Sequence, residues 1–192
     1  MTLFVGLTGT NCAGKGTFAQ LACQHVSCQV FSLSDEVRAE ATGRGLELTR
    51  ENLIRVGNET RKALGPGVFA ERTAKKALAA KGNRLVFIDS IRAVGEVKAL
   101  RRILGKDFVL VAVDASPQIR FERALARKRE GEQALSFDGF LAQEEKELRS
   151  QDAFGQSLLD CIAMADEKIG NFGSVEEFAD KVKDFLKTRR VL

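Results

Sequence analysis

At 192 residues, 44% hydrophobic and 29% charged, the chain is long enough for one α/β core with appended helices, and too apolar for a disordered segment. A net charge of +4, with no Trp or Tyr to interleave with the basic residues, speaks against nucleic-acid binding as the main task; anionic small ligands account for the excess equally well. The longest apolar run, Phe108 to Val113, is far too short to span a bilayer, and the chain enters an apolar strand by Leu3, so neither a membrane segment nor a leader peptide is expected.

In chain order, short continuous apolar runs predict strands at 3–7, 28–31, 84–88, 108–113 and 167–169, the pattern of parallel strands covered on both faces. Helices are predicted at 15–25, 34–42, 50–64, 68–80, 95–104, 117–129, 137–149, 156–163 and 175–188. Ser116-Pro117 reads as an N-cap followed by an N1 proline, and Ser174 with Glu177 as a capping box. Gly82 and Gly105 stand where helices stop. This alternation defines a doubly wound α/β fold around a five-stranded parallel sheet, with ligands gathered at the carboxyl ends of the strands. Phe121, Phe137, Phe140, Phe178 and Phe185 recur at amphipathic spacing and are expected in the core.

The first strand runs directly into Gly9-Thr10-Asn11-Cys12-Ala13-Gly14-Lys15-Gly16-Thr17. Glycines at these places let successive backbone N–H groups face phosphate oxygens, the following helix adds its positive end, and Lys15 reaches the outer phosphates. The hydroxyl that usually follows the lysine arrives one residue late, at Thr17. Cys12 is read as spacing within a backbone-donor loop. Cys12, Cys23, Cys28 and Cys161 form no C-x-x-C pair, so no zinc site is expected, and a reducing, cytoplasmic setting is.

Three constellations follow. Ser34-Asp35-Glu36-Val37-Arg38 comes after the second strand and places Asp35 and Arg38 near the loop, or equally reads as an ordinary capped surface helix. Leu85 to Ile88 ends in Asp89, a carboxylate at the tip of a buried strand, where it can hold Mg²⁺ directly or through water, and Arg92 lies three residues beyond. Arg120, Arg123 and Arg127 fall on one helical face, and the polar segment 130–136 after them has the composition of a short lid.

Over nearly its whole length the chain resembles nucleoside monophosphate kinases of the adenylate kinase type and the related dephospho-coenzyme A kinases. The Gly-Lys-Gly-Thr loop, Ser-Leu-Ser-Asp-Glu-Val-Arg, Asp-Ser-Ile-Arg and Phe-Glu-Arg-Ala-Leu-Ala-Arg carry the resemblance. It implies one P-loop kinase domain over 1–192, with a helical acceptor-binding insertion at about 32–80 and a lid at about 123–150. It implies ATP and Mg²⁺ as cofactors and a nucleoside or deoxynucleoside monophosphate as acceptor. Gly9, Asn11, Cys12, Ala13, Gly14, Lys15, Gly16 and Thr17 would cradle ATP, with Thr17 and Asp89 near the metal. Arg38 and Arg92 match the arginines on the acceptor phosphate. Arg123 matches a lid arginine against the nucleotide and Arg127 one on the transferred group. Arg149 is the remaining candidate for a later lid arginine, and Asn171 falls in the loop over the donor base. Glu96 stands near the family's base-reading glutamine and would favour guanine or cytosine. Asp35 stands where dephospho-coenzyme A kinases keep an aspartate as base. A nucleotide-dependent switch on the same fold is the alternative of a different class.

Overall fold

A computed structural model describes residues 2–80, 82–127, 136–148 and 155–192. Five parallel strands, β1 (Leu3–Thr8), β2 (Cys28–Ser32), β3 (Leu85–Asp89), β4 (Phe108–Asp114) and β5 (Glu167–Gly170), are ordered β2-β3-β1-β4-β5. The helices are α1 (Lys15–Cys23), α2 (Leu33–Gly43), α3 (Arg50–Leu64), α4 (Val68–Ala79), α5 (Val94–Leu104), α6 (Pro117–Arg127), α7 (Phe137–Leu148), α8 (Leu158–Ala163) and α9 (Val175–Thr188).

The period of two along each strand divides the core into two layers. Val5 and Leu7, Leu85 and Phe87, and Val109, Val111 and Val113 face α1 and α9; Phe4, Val86, Ile88, Phe108 and Leu110 face the layer of α4 and α5. Phe18 locks α1 in place, meeting Phe87 at 6.1 Å edge-on and Phe185 of α9 at 5.3 Å. Phe121 likewise meets Phe137 and Phe140 at 5.4 and 5.6 Å, joining α6 to α7. The α9 capping box forms as its sequence implies: Glu177 N–H donates to Ser174 Oγ, and Glu177 Oε2 accepts from Ser174 N–H.

The sequence reading of β2 as covered on both faces is corrected. It is an edge strand, with Gln29 and Val30 exposed, and only its β3 side is paired. Of the predicted lid at about 123–150, residues 128–135 and 149–150 lie outside the described residues, Arg149 among them, and almost all of the described remainder belongs to α6 and α7. Among the described residues no helix is long and apolar enough to cross a membrane.

Cys23 and Cys28 form a disulfide that closes the turn from α1 into β2, with a Cα–Cα distance of 5.4 Å. Two of the four cysteines are therefore bonded, and cysteine content no longer supports the reducing-compartment expectation. Spanning a sequence separation of 5, this crosslink is worth about 2 kcal/mol in the chain-entropy account. Cys23→Ser, compared with the oxidised parent by urea denaturation, is expected to lose about that amount. An unchanged midpoint would show that the bond restrains nothing.

Candidate functional site

The sheet order sets β1 between β3 and β4, so the loop leaving β1 opens between their carboxyl ends. Two glycines of that loop are required by its backbone. Gly9 (φ +130°) has no room for a Cβ against the Val113 carbonyl, and Gly14 (φ +111°), the N-cap of α1, none against the Asn171 amide. Cys12 also adopts a positive φ, 60°, as the loop curls. A helix start of this kind presents N–H groups that make no bond within the helix, the arrangement that binds anions. Lys15 Nζ folds over the loop, donating to the carbonyls of Gly9 at 2.7 Å and Thr10 at 2.8 Å.

Gly16 is a different case, because a Cβ there would meet nothing within 4 Å. Neither packing nor backbone demands glycine, so Gly16→Ala is expected to raise stability by up to about 1 kcal/mol in thermal melts. A fall would contradict this reading of the helix start.

The loop forms one end of a cleft of about 670 Å³. Lys15, Arg38, Arg92, Arg123, Arg127 and Asp89 line it, so its described charge is five cations against one carboxylate. Such a field concentrates anions. Asp89 ends β3, and its buried Oδ1 has no hydrogen-bond partner among the described residues. Thr17 also lines the cleft. No cluster of three or more His, Cys, Asp or Glu occurs among the described residues. The donor set therefore fits a hard cation that takes most of its ligands from phosphate oxygens and water.

The segment after β3 is strapped over the end of β1, with Thr8 Oγ1 donating to Ile91 O at 3.0 Å and Ile91 N–H to Leu7 O at 3.3 Å. This sets Arg92 into the cleft, and Arg92 Nη1 reaches Gln156 Oε1 at 3.4 Å. Arg123 donates to the carbonyls of Cys12 and Ala13 and to Asn171 Oδ1. Asn171 Nδ2 donates to Ala13 O at 2.9 Å. Arg123 and Asn171 together thus staple the end of β5 to the loop. Arg127 reaches Asn11 Oδ1 at 3.5 Å.

Three sequence readings change. Glu96 is 1% exposed and does not reach the cleft. Its Oε1 accepts from Arg61 Nη2 at 2.9 Å, and its Oε2 from the N–H groups of Arg92 and Ala93 at 2.9 and 3.0 Å. It caps α5 and reads no base. Burial, with the charges of Glu96 and Asp160 adding, pushes the neighbouring Cys161 thiol up to about 12, as a dry interior does. Asp35 is 72% exposed at its side chain, pairs with Arg38 at 3.3 Å, and does not line the cleft, so it does not stand where a base acting on an acceptor would. Arg120, grouped by spacing with Arg123 and Arg127, turns inward to Ala115 O and Glu144 and ties α6 to α7. Burial holds its pKa below the usual value, opposed by the charges of Asp114 and Cys12.

Sequence reasoning missed the hydroxyls of Ser32, Ser34 and Ser90, which line the cleft. The available signal was Ser-x-Ser after β2 and Asp-Ser after β3. Ser90 sits at φ +67°, an outlier for a non-glycine residue and of the kind that gathers at functional sites.

A glycine loop between a central parallel strand and a helix, facing a cationic cleft, defines a P-loop phosphate-binding protein of kinase-like fold. Known proteins agree. The AAA domain family matches residues 8–138. A UPF0200 protein of Hyperthermus butylicus is 36% identical over 184 residues, 96% of this chain and 93% of that protein. A UPF0200/UPF0201 protein of Archaeoglobus fulgidus is 36% identical over 95% of this chain, which spans only 54% of that relative. The chain belongs to the AAA domain family and to the UPF0200 proteins. Shikimate kinase from Acinetobacter baumannii (TM-score 0.57, 14% identity, 100% of this chain and 97% of that one) and the Mycobacterium tuberculosis APS kinase CysC (TM-score 0.55, 18% identity, 97% and 98%) share its fold.

Proposed function

We propose that the protein is an ATP-dependent phosphotransferase that passes the γ-phosphoryl group of Mg·ATP to an anionic small acceptor, with nucleoside and deoxynucleoside monophosphates as the first acceptor class. The observation that carries this is a single cleft holding the phosphate loop with Lys15 together with a second pair of cations, Arg38 and Arg92, on separate elements. A hydrolase or switch needs the first set; two anions held in line need both.

In this reading residues 9–17 would seat the triphosphate, and Lys15 would supply positive charge to its outer phosphates. Thr17 and Asp89 would hold magnesium, which when bound would supply charge neutralisation on those phosphates. Arg38 and Arg92 orient the acceptor, and Arg127 counters the charge that builds on the moving group. Arg123 holds the loop against Asn171 and meets the nucleotide from that side. The whole chain works as one kinase domain, residues 32–80 carry the acceptor side, and 123–150 close over it. A cytoplasmic setting supplies the ATP.

A second acceptor chemistry, an anionic compound phosphorylated on a hydroxyl, is favoured by Asp89, whose buried Oδ1 has no hydrogen-bond partner among the described residues and which lines the cleft, where an acceptor hydroxyl could donate to it. Withdrawal of Asp35 from the cleft removes the particular support for dephospho-coenzyme A. ADP release from Mg·ATP, measured with monophosphates, their deoxy forms and dephospho-coenzyme A, tests the proposal. Acceptor-dependent ADP is expected; ATP binding with no response to any acceptor would move the weight to a nucleotide switch.

A further inference from the structure

The acceptor end of the cleft carries more hydroxyls than a phosphate requires. Ser32 Oγ donates to Ser90 Oγ at 3.0 Å and lies 2.9 Å from Ser34 Oγ, to which Arg38 Nη1 donates at 2.9 Å. Ser32 is also the register partner of Asp89 across the β2–β3 pairing. The three serines thus form a linked row at the carboxyl edge of the sheet, anchored by a guanidinium, and all three line the cleft. Ser32 Oγ also accepts from Ser34 N–H at 3.3 Å as the N-cap of α2, so the ends of the row, Ser34 and Ser90, are the hydroxyls that a hydroxyl-bearing ligand would meet.

A nucleobase needs different surroundings: an apolar plate for its faces and polar partners for its edge. The groups near Arg92 that have this chemistry are spent on one another. The Arg61 guanidinium lies over the Phe69 ring at 5.3 Å and pairs with Glu96 at 2.9 Å. Phe69, Arg61 and Glu96 are all buried. Arg61 also lies along its own helix, where a Cβ on Gly57 would stand 3.2 Å from its Nη1, and Gly57 is in contact range of Val37 on α2. Among the described lining residues the large apolar side chains, Val175 and Phe178, belong to α9 beside the phosphate loop, not to the acceptor end.

We infer that the acceptor end reads an anionic group and the hydroxyls carried next to it, and is blind to a base. Its ligand class is the phosphorylated polyhydroxyl body, of which a pentose phosphate is the smallest complete example. The inference rests on the phosphotransfer reading for the acceptor's role, and on the site geometry alone for binding.

The test is calorimetric titration of AMP, GMP, CMP, UMP, ribose 5-phosphate and inorganic phosphate into the full chain saturated with a non-hydrolysable Mg·ATP analogue, with ADP release from ATP measured in parallel. The four nucleotides and ribose 5-phosphate are expected to bind within about 3-fold of one another and at least about 5-fold tighter than inorganic phosphate, the worth of a hydrogen bond or more. Ser34→Ala, with its melting curve checked, is expected to weaken those five alike by about 5-fold. One nucleotide binding 30-fold or more tighter than ribose 5-phosphate, on the order of 2 kcal/mol, would overturn the inference. Ribose 5-phosphate binding no better than inorganic phosphate, or none of the six binding, would overturn it too. Equal binding of the five without ADP release would uphold it and refute transfer.

Discussion

Lys15→Ala is expected to lower ATP-dependent turnover at least about 10²-fold while the fold stays intact, and Arg92→Ala to do the same. Lys15 Nζ rests on two neutral carbonyls of its own loop, weaker partners for an ammonium than the phosphate oxygens it would gain. In the proposed reaction its removal takes away a charge needed where phosphoryl transfer builds charge. Arg92 is placed by the backbone straps of Thr8 and Ile91, so truncating its side chain leaves the loop in position. Steady-state ADP formation with circular dichroism as the control checks both. Near-normal turnover in either variant, with unchanged spectra, contradicts the assignment.

Arg61→Met is expected to cost about 3–5 kcal/mol of stability in urea denaturation. The Arg61–Glu96 pair is 6% and 1% exposed at its side chains, so the loss would leave a carboxylate in the interior with only two backbone N–H donors. The penalty comes from the abandoned charge and not from the attraction itself, which burial of both groups largely offsets. Because Glu96 Oε2 also caps the N–H groups of Arg92 and Ala93, pairing Arg61→Met with Glu96→Leu is expected to recover only part of the loss. A cost below about 1 kcal/mol for Arg61→Met would show that water reaches Glu96.

Much of this was legible in the sequence wherever the signal was local. The runs Leu3 to Leu7 and Leu85 to Ile88 read as buried strands because Gly9 and Asp89 follow them; the structure extends the strand expected at 3–7 to Thr8 and shifts the one expected at 84–88 by one residue, to Leu85–Asp89. Ser174 and Glu177 are three residues apart, and their reciprocal bonds fix the start of α9 at Val175. What stayed hidden depends on partners distant in the chain. Glu96 has the right spacing from Arg92 to face a ligand, but Arg61, 35 residues earlier, draws it inward. Spacing aligned Arg120 with Arg123, yet Glu144 on the next helix captured it. Asp35 and Arg38 share a helix turn, but only Arg38 faces the cleft, because Ser34 holds its guanidinium there. The serine row needs β2 and β3 side by side, which no local pattern announces, since these strands are separated by three helices.

The central claim is transfer, not hydrolysis, and the most direct test follows the γ-phosphoryl group. Incubated with γ-labelled ATP, magnesium and a small-molecule extract of cells, the protein is predicted to move label into a new anionic metabolite in step with ADP, and Lys15→Ala to abolish it. Label that remains in ATP, or leaves it only as inorganic phosphate with wild-type protein that binds ATP, would contradict the account.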